Sequence, residues 1–455
     1  MTTPDNTLMI SISGIRGIAG KSLTPEVMTR FAQAFGTWLP PGSTVVVGND
    51  TRISREAMRD AVFAGLRATG CRVIDVGVCP TPTIKFAVCE RRAAGGICIT
   101  ASHNPVEWNG LKMVRSDGVF LNAAQGEEVL RLYPGGPFRN RPSASPVETD
   151  VRVLDLHLDR ILSVIDTAAI ARRRLRVVID PCHGVASVAG PRLLERLNCE
   201  VIPIHCIPDG KFPHNPEPLP QNLTDLCDAV RREGADLGLA IDPDADRVAF
   251  VTEAGVPPGE DYTLAIAVDH ILRACPGVVV STLSTSQIVA DAAARYHCPF
   301  IVTKVGEVHV VEEMLLQRSI VGGEGNGGVI LPEIDPGRDA LVGATLLLAA
   351  LAERGKSISA LVAEHPRYVV EKRKVAIPQD RMQNAVQTVR GAYRGRPVDP
   401  VEDGVKIYLG AFRACPWVHV RASNTEPVLR VIAEAATDQE VQSICDEVER
   451  IVAGG

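Results

Sequence analysis

The sequence predicts an α/β protein of three α/β domains followed by a smaller, more mixed C-terminal domain. Short β-branched runs alternate with helical patterns along most of the chain, the mark of layered α/β structure. Three breaks in composition divide that rhythm, and 455 residues accommodate three or four domains of about 150 residues each. A chain 45% hydrophobic and 22% charged is globular in composition, which excludes a disordered or fibrous protein.

In order, TVVVGNDTR (44–52) reads as a strand ending in an acidic loop. EAMRDAVFAGLRATG (56–70) follows as a helix closed by Gly70, then the strand CRVIDVG. The same grammar returns at 176–207, where RVVIDPCHG leads through a helix to CEVIPIHC. It returns again from 278, with VVVSTLS, a helix at 286–296, PFIVTKVG and a helix near 308–318. The Pro/Gly/Ser-rich stretch 134–149 (PGGPFRNRPSASPVET) reads as a linker. Further breaks fall at 254–261 (AGVPPGED) and 365–372 (HPRYVVEK), so the expected domains are 1–150, 151–255, 256–368 and 369–455.

A net charge of −6 with an isoelectric point near 6.0 argues against nucleic acid or an acidic membrane as the main partner. Any bound anion must be held by local groups. The twelve cysteines form no C-x-x-C pair and mostly sit in apolar runs such as GICIT, as buried reduced thiols do. No Lys or Arg precedes Arg16, so a secretory signal is not expected. The longest apolar stretch, LVGATLLLAALA (341–352), is shorter than the ~20 residues a membrane span needs. The expectation is a cytoplasmic protein without a membrane partner.

Four loops carry chemistry. TASHNP (100–105) places Ser102 where the strand GICIT breaks into a loop. A plain Ser/Asn/Pro turn, a phosphoryl carrier and a hydrolase nucleophile are all open there, although the G-x-S-x-G elbow of a hydrolase is missing. AIDPDADRVAF (240–250) sets Asp242, Asp244 and Asp246 at alternate positions after an apolar strand, a cage of hard oxygens. An EF-hand fails because its sixth position is Arg247, where the turn needs Gly. Mg²⁺ suits best, since it keeps coordination positions open for water or phosphate; a solvated acidic turn is the plain alternative.

VGGEGNGGVI (321–330) lets the backbone approach a ligand closely while Glu324 and Asn326 present polar groups, an arrangement suited to sugar hydroxyls. An ordinary loop is the bland reading. In RASNTEP (421–427), Arg421 offers a forked donor and Ser423, Asn424 and Thr425 add hydroxyl, amide and backbone donors, a phosphate cradle without a P-loop. An Asx/ST turn is its plain alternative.

Together, and with SGIRG at 13–17, these loops identify the chain as a member of the α-D-phosphohexomutase superfamily over its whole length. The resemblance implies three α/β domains with mixed sheets and a C-terminal α+β domain like the TATA-binding protein, arranged as a heart around one central cleft. It implies that Ser102 is a phosphoserine in the resting enzyme and that Mg²⁺ is held by Ser102 with Asp242, Asp244 and Asp246. A hexose phosphate is the substrate and a hexose 1,6-bisphosphate the intermediate and activator. Arg16, Lys112 and Arg247 are the expected catalytic charges, because phosphoryl transfer needs positioning and neutralisation. Arg421, Ser423, Asn424 and Thr425 are the expected site for the non-reacting phosphate. His309 is read as an ordinary loop residue, since Glu307 occupies the position after Gly306 where related enzymes carry His. His103 is read as a neighbour that shapes the serine loop, the other histidines as structural or surface residues, and Asp50 with Arg52 as braces of that loop.

The sugar loop GEGNGG has Asn326 where glucose/mannose enzymes and the common bacterial glucosamine enzymes carry Ser, and in this it is similar to archaeal-type phosphoglucosamine mutases and their bacterial relatives. Lys304 and Gly306 in KVGE (304–307), close to the V-G-D of glucosamine enzymes, point the same way. The expected reaction interconverts glucosamine 6-phosphate and glucosamine 1-phosphate. The alternatives are a phosphoglucomutase/phosphomannomutase and, from another class, a sugar-phosphate-binding protein without turnover.

Overall fold

The computed structural model describes residues 7–11, 14–423 and 428–454. The chain divides into two compact units, one holding the chain up to Thr263 with Gly327–Ser359, the other Leu264–Asn326 with the chain from Ala360 onward.

The first unit contains a seven-stranded mixed sheet in the order Met9–Ser11, Gly14–Ile18, Trp108–Arg115, Gly95–Ile99, Thr44–Asn49, Arg72–Val78, Glu148–Thr149. The last four strands run parallel to one another, and the first three are joined antiparallel. Val45 and Val47 pack with helices Pro25–Trp38 and Arg55–Ala68 in one apolar core. Alternation sends Gly48 to the opposite face, where a Cβ would lie 2.7 Å from Ile84 of helix Thr81–Glu90. The predicted helix at 56–70 and the strands around it are therefore present, with the helix ending two residues earlier, at Ala68.

The expected linker is no free tether. Arg139 donates from Nε to the Thr69 carbonyl at 2.7 Å, from one Nη to Leu39 O at 2.9 Å and from the other to Gly36 O. These are the orphan carbonyls that end the two helices, so one guanidinium caps both. Phe138 joins the apolar core beside them. Pro/Gly/Ser composition forbids a regular element here but not packing.

A second sheet follows the order Val248–Thr252, Leu237–Ile241, Arg176–Asp180, Glu200–Pro203, with only the first pair antiparallel. Because Ile241 pairs with Val248, residues 242–247 form a hairpin loop. The apolar stretch 341–352 is the body of helix Ala340–Arg354, N-capped by Asp339 and buried on every side through Leu351. Among the described residues no helix is long and apolar enough to cross a membrane.

In the second unit, strands Val279–Thr282, Phe300–Thr303 and Val321–Glu324 are parallel, with Val279–Thr282 central. A four-stranded antiparallel sheet, in the order Val369–Ala376, Val428–Ala435, Trp417–Ala422, Val405–Tyr408, carries helices Met382–Ala392 and Asp438–Gly454 over a shared core.

Of the twelve cysteines, all free, six are buried, while Cys89 and Cys275 are exposed and four are intermediate. The expectation that most are buried is too strong: cysteines near helix ends and in loops meet solvent even in an apolar sequence context.

Candidate active site

In the first unit, Ser102 stands three residues past strand Gly95–Ile99, buried and with φ of 50°. A non-glycine residue held in the left-handed region costs of order 1–3 kcal/mol and persists only where its surroundings impose it. Here they do. The Ser102 N–H donates to Thr100 Oγ1 at 2.9 Å, and Thr100 Oγ1 donates to Asp50 Oδ2 at 2.6 Å. Arg52, wholly buried, pairs with Asp50 at 3.1 Å. Its guanidinium donates to the carbonyls of Ser102 and Asn104, both at 2.7 Å, of Pro105 at 2.6 Å and of Trp108 at 2.7 Å. One planar fork thus holds the whole serine loop, the bracing expected of Asp50 and Arg52.

The hairpin loop 242–247 lies against this serine. Ser102 Oγ is 3.2 Å from Asp242 Oδ2 and 3.3 Å from His103 Nδ1. Asp242 Oδ1 accepts from the backbone N–H groups of Asp246 and Arg247, each at 3.1 Å. Ala245 between them also has a positive φ, 55°. Asp244 Oδ2 accepts from Thr81 Oγ1 at 3.0 Å and from Lys112 Nζ at 2.8 Å. Asp246 Oδ2 pairs with Arg338 at 2.6 Å and with Lys112 at 3.5 Å. Lys112 reaches this point from strand Trp108–Arg115, opposite Gly14 on the strand that carries Arg16. Arg16 donates to Asn104 Oδ1 at 2.9 Å.

Burial, then the Asp246 and Asp244 charges, push the Asp242 carboxyl well above the usual range. Burial also acts to raise Asp246, but the Arg338, Lys112 and Arg247 charges outweigh it and hold that carboxylate below its usual range. Burial and the Arg247 and Arg16 charges push His103 well below an ordinary imidazole, so it is neutral.

The donor set fits a hard cation. Asp242, Asp244 and Asp246 are all buried, and one carboxylate oxygen from each lies within 4.8 Å of the others. Asp244 Oδ1 is buried with no hydrogen-bond donor among the described residues, and Asp246 Oδ1 is met only by the Arg247 Nε ion pair at 3.4 Å. An orphaned carboxylate oxygen of this kind is costly unless a cation meets it.

In the second unit, Glu324 is buried at the end of its strand, and its Oε1 accepts from the Gly306 N–H at 3.1 Å. Gly306, with φ of 128°, caps helix Glu307–Gln317, so the carboxylate sits at a helix N-terminus. The Gly306 N–H is engaged by protein. Lys304 and His309 are exposed, and His309 lies on that helix and not in a loop. Arg421, on strand Trp417–Ala422, is lowered by burial, against the raising effect of Asp403 and Glu324. Its Nε is buried with no hydrogen-bond acceptor among the described residues. Ser423 is buried, and its N–H donates to Val428 O at 3.0 Å. Asn424 and Thr425 lie outside the described residues.

Two glycines of the predicted sugar loop serve the fold. A Cβ on Gly322 would lie 2.3 Å from the Val280 carbonyl of the adjacent strand. Gly327, with φ of 85°, would bring one within 2.5 Å of Val248 O. The close approach they permit is to backbone.

Sequence reasoning missed Arg338, Thr81 and Asp403, the last accepting from the Val305 N–H at 2.8 Å. Each meets its partner across 92 to 163 residues of chain, and none belongs to a motif. Asp339 beside Arg338 was readable as an N-cap before an apolar run, which flags the turn but not the arginine.

A serine beside a buried carboxylate cage is the arrangement of a phosphoryl-transfer protein. Family models for phosphoglucomutase/phosphomannomutase match as alpha/beta/alpha domain I over residues 9–139, domain II over 155–255, domain III over 259–368, and the C-terminal domain over 369–451. The chain belongs to the phosphoglucomutase/phosphomannomutase family of the phosphohexomutase superfamily, and it is a phosphohexomutase, an isomerase. It is 38% identical over 445 residues to a probable phosphoglucosamine mutase of Methanopyrus kandleri, covering 97% of this chain and 96% of that one. It is also 38% identical over 439 residues to a phosphoglucomutase/phosphomannomutase of Thermococcus kodakarensis, covering 94% and 95%. Among solved structures, a family protein from Burkholderia thailandensis superposes with a TM-score of 0.86 at 27% identity, over 100% of this chain and 98% of that one.

Proposed function

We propose that the protein is a phosphoglucosamine mutase, interconverting glucosamine 6-phosphate and glucosamine 1-phosphate. Ser102 carries the phosphoryl group and glucosamine 1,6-bisphosphate is the bound intermediate. The observation that carries the choice of sugar is the GEGNGG loop, with Asn326 two residues after the buried Glu324. A buried carboxylate suits the ammonium of an amino sugar better than it suits a neutral hydroxyl. The Methanopyrus relative supports the same reading.

In this reading the Ser102 Oγ–phosphorus bond breaks as the free sugar hydroxyl bonds to phosphorus. The proton lost by that hydroxyl balances the one gained by Ser102. Ser102, Asp242, Asp244 and Asp246 would hold Mg²⁺, which would neutralise charge on the transferring group. Lys112, clamped between Asp244 and Asp246, and Arg16 and Arg247 add positive charge around the same serine. Arg421 and Ser423, with Asn424 and Thr425, hold the non-reacting phosphate; an Arg421 Nε without an acceptor among the described residues supports this reading. Four domains go with this proposal: 1–150 with the serine loop, 151–255 with the metal loop, 256–368 with the sugar loop and 369–455 with the phosphate cradle.

The Thermococcus relative favours a second reading, a glucose/mannose phosphomutase with the same chemistry. ³¹P NMR of the protein with Mg²⁺, a trace of hexose 1,6-bisphosphate and glucosamine-, glucose- or mannose-6-phosphate separates them, with Ser102→Ala as control. Preferential turnover of the glucosamine ester is expected. Equal or faster turnover of the neutral esters would replace the first reading by the second.

A further inference from the structure

A second cluster of ligating side chains lies in the first unit, apart from the aspartate loop. Strand Arg176–Asp180 ends in Asp180, whose side chain is buried. Asp180 Oδ2 is met by His205 Nδ1 at 2.9 Å and by His214 Nε2 at 3.1 Å. One ligand atom from each of the three residues lies within 4.8 Å of the others. The outer nitrogens of both rings are held as well: His214 Nδ1 lies 2.9 Å from the Asn215 carbonyl, and His205 Nε2 lies 3.3 Å from Asp225 Oδ2. A carbonyl on one ring and a carboxylate on the other are the outer partners that orient metal-binding histidines and fix which nitrogen faces the ion. The other Asp180 oxygen accepts from the Cys182 N–H at 2.9 Å, which fixes the carboxylate. The backbone around the cluster is strained at three non-glycine residues, with φ of 47° at Cys182, 55° at His183 and 45° at His205. Such strain gathers where geometry serves a site.

We propose that Asp180, His205 and His214 form a second metal site, for a first-row divalent transition ion and zinc foremost. Two imidazoles and one carboxylate are a borderline donor set that favours Zn²⁺ over the Mg²⁺ suited to an all-oxygen cage. Tetrahedral zinc with bonds of about 2.0–2.1 Å separates its ligand atoms by about 3.3 Å, so the two contacts to Asp180, at 2.9 and 3.1 Å, would lengthen only slightly. The Cys182 thiol approaches the far nitrogen of His214 at 3.7 Å and stays outside the ligand set. That leaves three protein ligands and one open position. The two rings are 22% and 20% exposed, so the ion enters from solvent.

The site's place in the fold indicates what it holds. The turn after Asp180 is tied to the serine-bracing loop by Thr51 Oγ1 donating to His183 O at 2.8 Å. It is tied to the aspartate loop by the Val185 N–H donating to Pro243 O at 3.0 Å. An ion at Asp180 fastens the segment carrying His205 and His214 onto that shared turn.

The test is titration of the full-length protein with Co²⁺ in excess Mg²⁺, followed by visible absorption, with Zn²⁺ as competitor. One equivalent with the bands of imidazole-ligated cobalt is expected, displaced by Zn²⁺ and lost in both His205→Gln and His214→Gln. Asp225→Asn should weaken binding about 10-fold through the loss of the outer carboxylate. X-ray absorption of the zinc-loaded wild type, which needs no variant, should show two imidazole ligands. No stoichiometric uptake against Mg²⁺, an all-oxygen spectrum, or full uptake by both histidine variants would overturn the assignment.

Discussion

Ser102 is held in a backbone conformation that a serine adopts at a cost, and what holds it is chemistry remote in sequence. The strain and the hydroxyl are separable. Ser102→Gly should raise the thermal midpoint, with a gain of about 1 kcal/mol from relief at a positive φ, while abolishing turnover. Ser102→Ala should abolish turnover without that gain, and a calorimetric scan of both variants checks the difference. Arg52 offers a second separation. Removing its guanidinium in Arg52→Met leaves four loop carbonyls without their donor and Asp50 buried without its partner. A loss of about 3–5 kcal/mol is expected from breaking the buried pair. The double variant Arg52→Met/Asp50→Asn should recover part of that stability but not kcat, because the fork that positions Ser102 is still missing. Recovery of both would show that Arg52 acts on stability alone. At this scale the candidate site was legible where its residues are neighbours in sequence: Ser102 and the three aspartates sit in short polar loops after apolar strands, and Arg421 lies near the end of one such strand. Arg338 and Thr81 were not legible, since only folding brings them to Asp246 and Asp244.

The unit that concentrates charge is an element, the hairpin loop 242–247. Antiparallel pairing of Ile241 with Val248 forces its ends together, so carboxylates at alternate positions converge instead of spreading into solvent. Lys112, Arg338 and Arg247 offset part of the repulsion, yet Asp244 Oδ1 still lacks a donor among the described residues. Mg²⁺ should therefore stabilise the fold as well as support catalysis. Adding it at about 100 times its Kd should contribute about 2.7 kcal/mol of stability, seen as a rise in thermal midpoint. EDTA should remove both the rise and the turnover, and restored Mg²⁺ should return both. Asp244→Asn should show little of the rise; an undiminished rise there would place the stabilising ion elsewhere. The same scale shows where composition misleads. The 134–149 stretch has a linker's residues but is packed by Arg139 and Phe138 against two helix ends. The glycines at 322 and 327 match a ligand-binding pattern but are required by backbone packing. Periodicity and turn residues report local conformation, and neither of these outcomes is local.

At the scale of the whole chain, alternating strands and helices sufficed for the α/β class, while the change of rhythm predicted only a smaller, more mixed C-terminal domain, whose α+β character came from the family resemblance. Sequence did not reveal which segments fold together, because that depends on contacts between distant elements: residues 327–359 join the first unit although the chain on either side belongs to the second. Cohesion within the second unit rests on buried polar groups. His419, on the C-terminal sheet, has Nδ1 2.9 Å from Ser284 Oγ and Nε2 2.6 Å from the Asp403 carbonyl. Nearby, Lys406 donates to Leu283 O at 2.8 Å and stacks over Trp417. Burial lowers His419 to about 4, outweighing the raising effect of the Asp403 carbonyl, so the folded ring is neutral and Nδ1 accepts from Ser284. An unfolded histidine titrates near 6.5. Between about 4 and 6.5 the unfolded chain binds the extra proton, so stability rises with pH across that window. The contribution is fully present above about 6.5 and is lost as pH falls towards 4, to a total of up to about 3 kcal/mol. Urea unfolding followed by tryptophan fluorescence at pH 7.5, 6, 5 and 4.5 should show this decline. His419→Gln, which hydrogen-bonds without titrating, should flatten it; an unchanged slope in that variant would assign the acid sensitivity to other groups.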